Sequence, residues 1–494
     1  MLFINDIYLL LIETYLIMSI LTVMWLIVIY PVEVITIGKL WSIQIGICVI
    51  SILSVLLLLY YNQYLLEYYV LGTAFIITKW SKFLLFLVIS GILLVVLLGL
   101  GYVKVNSLKS AEVFLIFIII LVGFIILLFT NDFLSMYMGI ELQSLGLYVL
   151  ASIKQNSIYA TEAGLKYFIL GSVASCLLIL GISIIYSFLG LSTFTDLILF
   201  YDSIENLTTF YISSLIGFLL VLISLLFKIG SVPFHIWLPD VYEGVATLIT
   251  TFFSLIPKIV IFSLIIKLFF ILNTLFSLEL KYVLIISSLL SIIVGSIGAL
   301  YQKTIKRLLS YSAIGHTGFI LLGISLGNIE GLLSVFFYLI IYYMIILTVF
   351  GVLLQIQQKK NGDIIKYINN LGFIYKNNPI LGSGLFLIFF TIAGLPPLSG
   401  FFSKFYILIG IIVENYFLLA VCVIICSSIS CVYYLKVIRN IISVKDKKKN
   451  YLLMPVVSSS SYLIIWSLGF HILFFGIGGT LLYSCYELSL NFLY

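Results

Sequence analysis

Long apolar runs, each cut off by a short polar or Gly/Pro-bearing stretch, succeed one another from end to end of this chain. They fall near 7–30, 41–62, 81–101, 112–130, 133–153, 164–190, 209–238, 244–270, 282–300, 308–327, 330–355, 379–413, 415–438 and 455–484. Each is about as long as the ~20 residues an α-helix needs to cross the hydrocarbon of a bilayer, or longer. Backbone N–H and C=O groups meet no water there, so a run must satisfy them within itself, as a helix does. The runs are continuously apolar, whereas strands of a membrane barrel alternate over about ten residues. The pattern predicts an all-α, polytopic membrane protein of about fourteen transmembrane helices.

Two runs carry residues that stop a helix. The seventh contains Gly230-Ser231-Val232-Pro233 and then Pro239, and the twelfth contains Gly394-Leu395-Pro396-Pro397-Leu398-Ser399-Gly400. Proline lacks an N–H and clashes with the preceding turn, so both spans are expected to break in mid-membrane. Interrupted spans at corresponding places in two halves of a chain point to a transporter's site. The plainer reading is a pair of packing kinks, which membrane helices tolerate.

Composition agrees with the pattern: of 494 residues, 63% are apolar and only 9% charged, against about 25% charged in a soluble domain. Lys and Arg then orient the spans. Loops after odd-numbered spans carry Lys39, Lys104, Lys109, Lys154, Lys303, Lys306, Arg307, Lys359, Lys360, Lys366, Lys376, Arg439, Lys445, Lys447, Lys448 and Lys449. Loops after even spans are nearly free of them, and the one at 191–208 bears Asp196, Asp202 and Glu205; Lys79, Lys82 and Lys281 are the exceptions. By the positive-inside rule the odd loops face the cytoplasm or matrix and both termini face the other side. The net charge of +6 sits largely on that one side and gives no reason to expect a nucleic-acid partner.

The N-terminal Met1-Leu2-Phe3-Ile4-Asn5-Asp6 has no basic flank, and Glu13 interrupts the first run, which argues against a cleaved signal or transit segment. Cys48, Cys176, Cys422, Cys426, Cys431 and Cys485 form no CxxC pair, so they are read as buried free thiols rather than a metal or iron–sulfur site. A bias toward Ile, Phe, Tyr and Leu with little Ala suits an AT-rich, organelle-type genome.

Charges inside the runs carry the candidate chemistry. Insertion of Lys or Asp at a helix centre costs roughly 2.5–3.5 kcal/mol, so such residues must face a bundle interior, pair, or shed their charge. Glu141 lies near the middle of the fifth run, Lys228 ends the first half of the broken seventh, and Lys258 lies well inside the eighth. His316 lies in the tenth, and Lys404 comes just after the break in the twelfth. A carboxylate beside an ammonium keeps both charged; separation in a low-dielectric interior favours the neutral forms. A row of such groups bridged by water makes a proton wire switched by pairing. Lys228 or Lys404 alone could instead pin a helix end, and an imidazole alone could bridge helices, which is also the reading for His235 and His471. Lys166, about one turn into the sixth run, is an anchor or a proton-uptake group. Glu13 and Lys267 lie nearer span ends or in peripheral spans and read as structural. No GxxxxGK[ST] loop, haem motif or metal-ligand cluster supplies an internal energy source.

Several blocks resemble one family. Glu141-Leu142-Gln143-Ser144-Leu145-Gly146-Leu147-Tyr148, Thr161-Glu162-Ala163-Gly164-Leu165-Lys166-Tyr167-Phe168 and Pro233-Phe234-His235-Ile236-Trp237-Leu238-Pro239-Asp240-Val241-Tyr242-Glu243-Gly244 come in order. Lys306-Arg307-Leu308-Leu309-Ser310-Tyr311-Ser312 with Gly315-His316, and Gly394 through Lys404, complete the set. Together they are similar to subunit 2 of respiratory NADH:ubiquinone oxidoreductase, complex I. The resemblance implies two inverted five-helix repeats, helices four to eight and nine to thirteen, with helices 7 and 12 discontinuous. The corresponding segments are 1–110, 111–270, 271–440 and 441–494. It also implies a proton path in which Glu141 pairs with Lys228, Lys258 is the central relay, and Lys404 the exit-side group, with His316 and Lys166 supporting. No cofactor is implied in this chain; flavin, iron–sulfur clusters and ubiquinone belong to partner subunits.

The partners implied are the other membrane-arm subunits and lipid, and the location is the mitochondrial inner membrane in preference to a bacterial plasma membrane. Two departures bear on this. Val245-Ala246-Thr247 stands where the family has a proline before the threonine, which puts the bend opening the eighth helix in question. No long amphipathic C-terminal extension is seen, which argues against the largest antiporter-like subunit. The rival readings are a component of a multisubunit cation/proton antiporter, and a structural spacer whose buried charges only fix packing.

Overall fold

The computed structural model describes residues 68–105, 110–154, 156–202, 208–273, 277–358, 366–377, 379–396, 398–442, 453–455 and 479–493, with residues 21 and 469. The expected first two spans, Glu13, Cys48, His471 and most of the last span lie outside them. The helices are α1 Lys79–Val105, α2 Ser110–Phe129, α3 Phe133–Ser152, α4 Ile158–Leu189, α5 Phe194–Asp202, α6 Thr208–Ile229, α7 Trp237–Gly244 and α8 Thr247–Asn273. They continue as α9 Ser277–Leu300, α10 Ile305–Ser325, α11 Ile329–Leu354, α12 Gly372–Asn377, α13 Pro379–Ala393, α14 Ser399–Val413, α15 Phe417–Ile442 and α16 Gly479–Leu493. Among the described residues nine helices are long and apolar enough to cross a membrane: α1–α4, α8–α11 and α15.

The remaining apolar helices account for the broken runs. The seventh run ends as a helix at Ile229, passes Gly230 in the left-handed region (φ 78°), and resumes as the eight-residue α7. The twelfth divides into two fifteen-residue halves, α13 and α14, with Gly394 at φ 83° between them. Fifteen residues rise about 22 Å, short of the ~30 Å hydrocarbon layer, so neither half spans it alone. The bend before α8 forms without the proline: Val245 is extended (φ −76°, ψ 155°) and its N–H donates to the Val241 carbonyl at 3.1 Å.

Other boundaries differ from expectation. The sixth span starts at Ile158, and the acidic 191–208 connection contains α5. Among the described residues two ribbons of three-residue strands accompany the helices: β1 Tyr68–Val70 with β2 Phe75–Ile77, and β3 Ile356–Gln358 with β4 Leu453–Pro455, both antiparallel. All five described cysteines are free thiols, but only Cys426 and Cys485 are buried as expected: Cys422 and Cys431 are half-buried, and Cys176 is exposed on α4, a helix with much of its surface outward.

The chain forms two compact units. One comprises Met1–Val96, Ser107–Lys228 and Ile256–Phe276. Its helices approach closely through glycine, the usual means in lipid, where hydrophobicity gives little drive to associate. A methyl group on Gly139 would strike Leu127, on Gly146 Ile120, and on Gly181 the Gly217 carbonyl. At one end Asn131 ties three connections: its N–H donates to Ala74 O at 2.8 Å, its carbonyl accepts from Phe194 N at 2.7 Å, and its side chain donates to Thr73 O at 2.9 Å. Connections after the fourth and sixth spans therefore share an end, as alternation requires.

The second unit comprises Leu97–Asn106, Ile229–Leu255 and Ser277–Tyr494. Alternation holds here at both ends. Ile305 N bonds Lys366 O at 3.0 Å and Ile368 N bonds Lys303 O at 3.1 Å, joining the loops after the ninth and eleventh spans, and β3–β4 adds the loop after the thirteenth. At the opposite end Glu414 accepts from Asn328 Nδ2 at 2.8 Å and lies 4.0 Å from Lys281. That pairing gives Lys281, an exception to the charge rule, a neutralising partner.

The tightest approach is at the twelfth-span break, where a Cβ on Gly400 would overlap the Thr391 carbonyl oxygen, while one on Gly384 meets nothing within 4 Å. Gly400→Ala is expected to lower stability by about 1–3 kcal/mol, an overpacking cost the backbone cannot relax away. Gly384→Ala should stay within about 1 kcal/mol of the parent and lean toward gain. Equal thermal midpoints for the two purified variants would contradict this packing.

Candidate functional site

Among the described residues four lysines are buried inside the bundle: Lys228 at 9% exposure, Lys258 at 3%, Lys267 at 8% and Lys404 at 8%. Three are sequence candidates. Each must be held by groups the chain itself supplies, because an ammonium left alone in this interior would cost several kcal/mol.

In the first unit, Lys228 sits in the last turn of α6, where the carbonyls of a helix end favour a cation. Its Nζ donates to the Tyr148 hydroxyl at 3.3 Å and lies 5.7 Å from the centre of that ring. Tyr148 is, rather than Glu141, the residue Lys228 bonds. Glu141 stands two turns earlier on α3, half-buried, with Oε1 enclosed and without a hydrogen-bond partner. Tyr148 is itself wedged edge-on against Tyr167 at 4.8 Å, and its hydroxyl fills the space a Cβ on Gly171 would need.

Lys258 comes directly after Pro257, the proline inside α8. Pro257 has no N–H, so α8 forgoes one intrahelical bond in the turn that leads to the lysine. Lys267, read as structural, is as buried as the candidates; its Nζ donates to the Thr130 carbonyl and lies 5.6 Å from the Trp80 ring. Lys166 is different: it is 43% exposed and pairs with Glu162 one turn earlier at 2.8 Å.

In the second unit, Lys404 caps the broken span. Its Nζ donates to the carbonyls of Ile392 at 3.1 Å and Ala393 at 3.2 Å, the C-terminal end of α13, and lies 5.8 Å from the Phe319 ring. His316 lies on α10 with Nδ1 2.6 Å from the Tyr338 hydroxyl and its ring 5.5 Å from Tyr342. Tyr342 donates to the Ser254 carbonyl at 3.0 Å, one turn before Lys258 on α8. Two small cavities, each with room for about one water, are both lined by His316 and Lys404. The structure thus brings His316 and Lys404 together.

Sequence reasoning missed an ion-pair cluster at the start of α10. Arg307 reaches Asp240 at 2.6 Å and Glu243 at 2.7 Å, and Lys306 donates to the Val245 carbonyl at 2.5 Å, so α7 is clamped to α10. The motif was visible as Asp240 and Glu243 three residues apart, one helix face, opposite a Lys-Arg pair. Among the described residues no group of three or more His, Cys, Asp or Glu is placed to hold a metal ion.

Residues 130–430, more than half the chain, match the family described as NADH:quinone oxidoreductase/Mrp antiporter, TM. The chain belongs to this family. Among its relatives, NADH-ubiquinone oxidoreductase chain 2 of Marchantia polymorpha is 38% identical over 379 residues, covering 76% of each protein. NADH-quinone oxidoreductase subunit N of Rhodospirillum rubrum is 36% identical over 368 residues, 74% of each. In fold, this antiporter-like family member matches a chain of respiratory complex I from Thermus thermophilus with bound aureothin (TM-score 0.76, 22% identity, 94% of this chain and 97% of that one). It matches a chain of the Mrp complex from Dietzia sp. DQ12-45-1b as well (TM-score 0.80, 17% identity, 98% and 97%). The chain is a multi-pass membrane protein with the architecture of these assemblies' membrane subunits.

The two kinds of lysine should respond differently to loss of their partners. Tyr148→Phe removes a buried bond to an ammonium and is expected to cost about 1–3 kcal/mol. Glu162→Gln breaks an exposed i,i+4 pair and should cost no more than about 0.5 kcal/mol. Thermal unfolding of the two variants checks the ordering, and a larger loss for Glu162→Gln would reverse it.

Proposed function

We propose that this chain is a proton-translocating, antiporter-like subunit of a respiratory NADH:ubiquinone oxidoreductase, and that Glu141, Lys228, Lys258 and Lys404 carry the proton, with His316 assisting. The observation that carries this is the burial of Lys228, Lys258 and Lys404 in apolar helices, two of them at helix breaks. Family membership and relatives named as subunits of such oxidoreductases support the redox assembly.

The geometry suits stepwise transfer. Lys228 is held by a tyrosine hydroxyl and a helix end, neither of which compels it to keep its charge. A proton arriving at Glu141 or leaving toward Lys258 changes whether the carboxylate attracts the Lys228 ammonium. Lys404 is held by backbone carbonyls, which stabilise the ammonium without being able to take its proton. His316 and Lys404 line the same two water-sized cavities, through which a bridging water could pass a proton. Moving each proton against the membrane potential costs about 2.3 kcal/mol per 100 mV. That energy comes from electron transfer through flavin, iron–sulfur clusters and ubiquinone in partner subunits, delivered through neighbouring membrane-arm subunits. Lys166, exposed and paired, serves at the surface, as an uptake group or an anchor. The location is the mitochondrial inner membrane, with both termini toward the intermembrane space. The two halves, 111–270 and 271–440, act as inverted repeats about the breaks.

A cation/proton antiporter component is the second reading, favoured by the likeness to the Mrp chain, whose TM-score of 0.80 exceeds the 0.76 of the complex I chain. Purification of the native assembly separates them: flavin and iron–sulfur proteins should accompany this chain, and their absence from an intact assembly would favour the antiporter. Within that assembly, Lys258→Met and Glu141→Gln are each expected to cut proton pumping at least tenfold in proteoliposomes while assembly is retained. Normal pumping by both variants would reduce the buried charges to packing elements.

A further inference from the structure

The hydroxyl of Tyr338 has no role in the proposed path, yet it stands at hydrogen-bond distance from His316. Tyr338 is 2% exposed on α11, and its oxygen lies 2.6 Å from His316 Nδ1. Tyr342, one turn further along the same helix, also faces the imidazole, but its hydroxyl is committed to the Ser254 carbonyl at 3.0 Å. Two tyrosines of one helix face thus meet one histidine, Tyr338 through its oxygen and Tyr342 through its ring.

A neutral imidazole carries its proton on one nitrogen, and the partner of the other nitrogen decides which. With the Tyr338 O–H donating to Nδ1, the ring proton is on Nε2. When the ring takes a second proton, Nδ1–H must donate instead, and Tyr338 turns its own O–H away and accepts. A phenol serves both states; a carbonyl or an ammonium serves only one. Among the described residues no carboxylate lines either cavity.

We propose that Tyr338 is a positioning residue for proton transfer, setting the tautomer of His316 and its aim into the water-sized cavities it shares with Lys404. This rests on the reading of His316 and Lys404 as stations of the path. Among the described residues, the titratable groups that line these cavities with His316 are Tyr338 and Tyr342 from α11, Lys404 from α14, and Cys426, Tyr433 and Tyr434 from α15.

The test uses the intact assembly in proteoliposomes, with its yield tracked on native gels, and compares Tyr338→Phe, Tyr342→Phe, His316→Gln and the Tyr338→Phe/His316→Gln double variant. Tyr338→Phe is expected to slow pumping at least threefold and move the pH midpoint of pumping by half a unit or more. Tyr342→Phe should leave the midpoint in place. The double variant should pump no more slowly than His316→Gln, since a residue acting through the imidazole has nothing left to act on. An unmoved rate and midpoint in Tyr338→Phe, or losses that multiply in the double variant, would overturn the role. Should the Phe variant fail to assemble, Tyr338→Gln is judged by the same midpoint criterion, the carboxamide being a different hydrogen-bonding partner of Nδ1. Normal pumping by His316→Gln would instead sink the path on which the inference rests.

Discussion

An ammonium group inside an apolar helix bundle must be solvated by the chain itself, and much of this protein's architecture answers to that demand. Lys404 meets it with two carbonyls made available by ending α13 at Ala393. Lys267 meets it with a carbonyl at the end of α2 and the face of Trp80. Lys228 uses a phenol and the end of its own helix. In each case the hydrogen-bond partner is a dipole rather than an opposite charge. Dipoles lower the cost of burial while leaving the proton exchangeable, whereas a tight carboxylate pair would hold it more firmly.

Supplying those dipoles requires the helices to break or end where these lysines lie, and to pack closely around them. Glycine does both. Gly230 and Gly394 adopt the left-handed backbone that lets α6 and α13 stop. Gly171 gives Tyr148 the room to reach Lys228, and Gly400 lets α14 begin against the last turn of α13. A larger residue at Gly171 would push the phenol off Lys228 without touching a charge.

The spans and their breaks were legible because they rest on patterns many residues long: apolar runs of bilayer length, with Gly and Pro in the seventh and twelfth. The same proline logic located the breaks but not the lengths of the helices beyond them, so α7, with its Asp240–Glu243 face, falls mostly in the gap between the seventh and eighth apolar runs. The bend before α8 shows the limit of a single-residue signal, since Val245 turns extended without a proline. Burial of Lys228, Lys258 and Lys404 could be argued from charge cost alone, but their partners could not. Tyr148 and Tyr338 are two tyrosines among 34 in a chain that is 16% aromatic, and nothing local distinguishes a phenol that bonds a lysine from one that packs against lipid. Lys267 reads as structural from its place near a span end, a position that says nothing about Trp80, which approaches it from a helix far earlier in the chain.

The two breaks handle their lysines differently, and the difference bears on direction. Beside the first, the proposed path has a carboxylate, Glu141, whose charge alters with protonation and so changes the pull on Lys228. Beside the second, the described acidic residue nearest in sequence, Glu414, is engaged at the rim with Asn328 and Lys281, and Lys404 is left to carbonyls whose dipole is permanent. A permanent dipole holds its lysine equally whatever the state of the chain around it, so in the proposed path the switching sits at Glu141 and Lys228. The second half then needs only a passive means of taking up and releasing what the first half sends. His316, with a phenol that donates to it or accepts from it, is suited to that passive part.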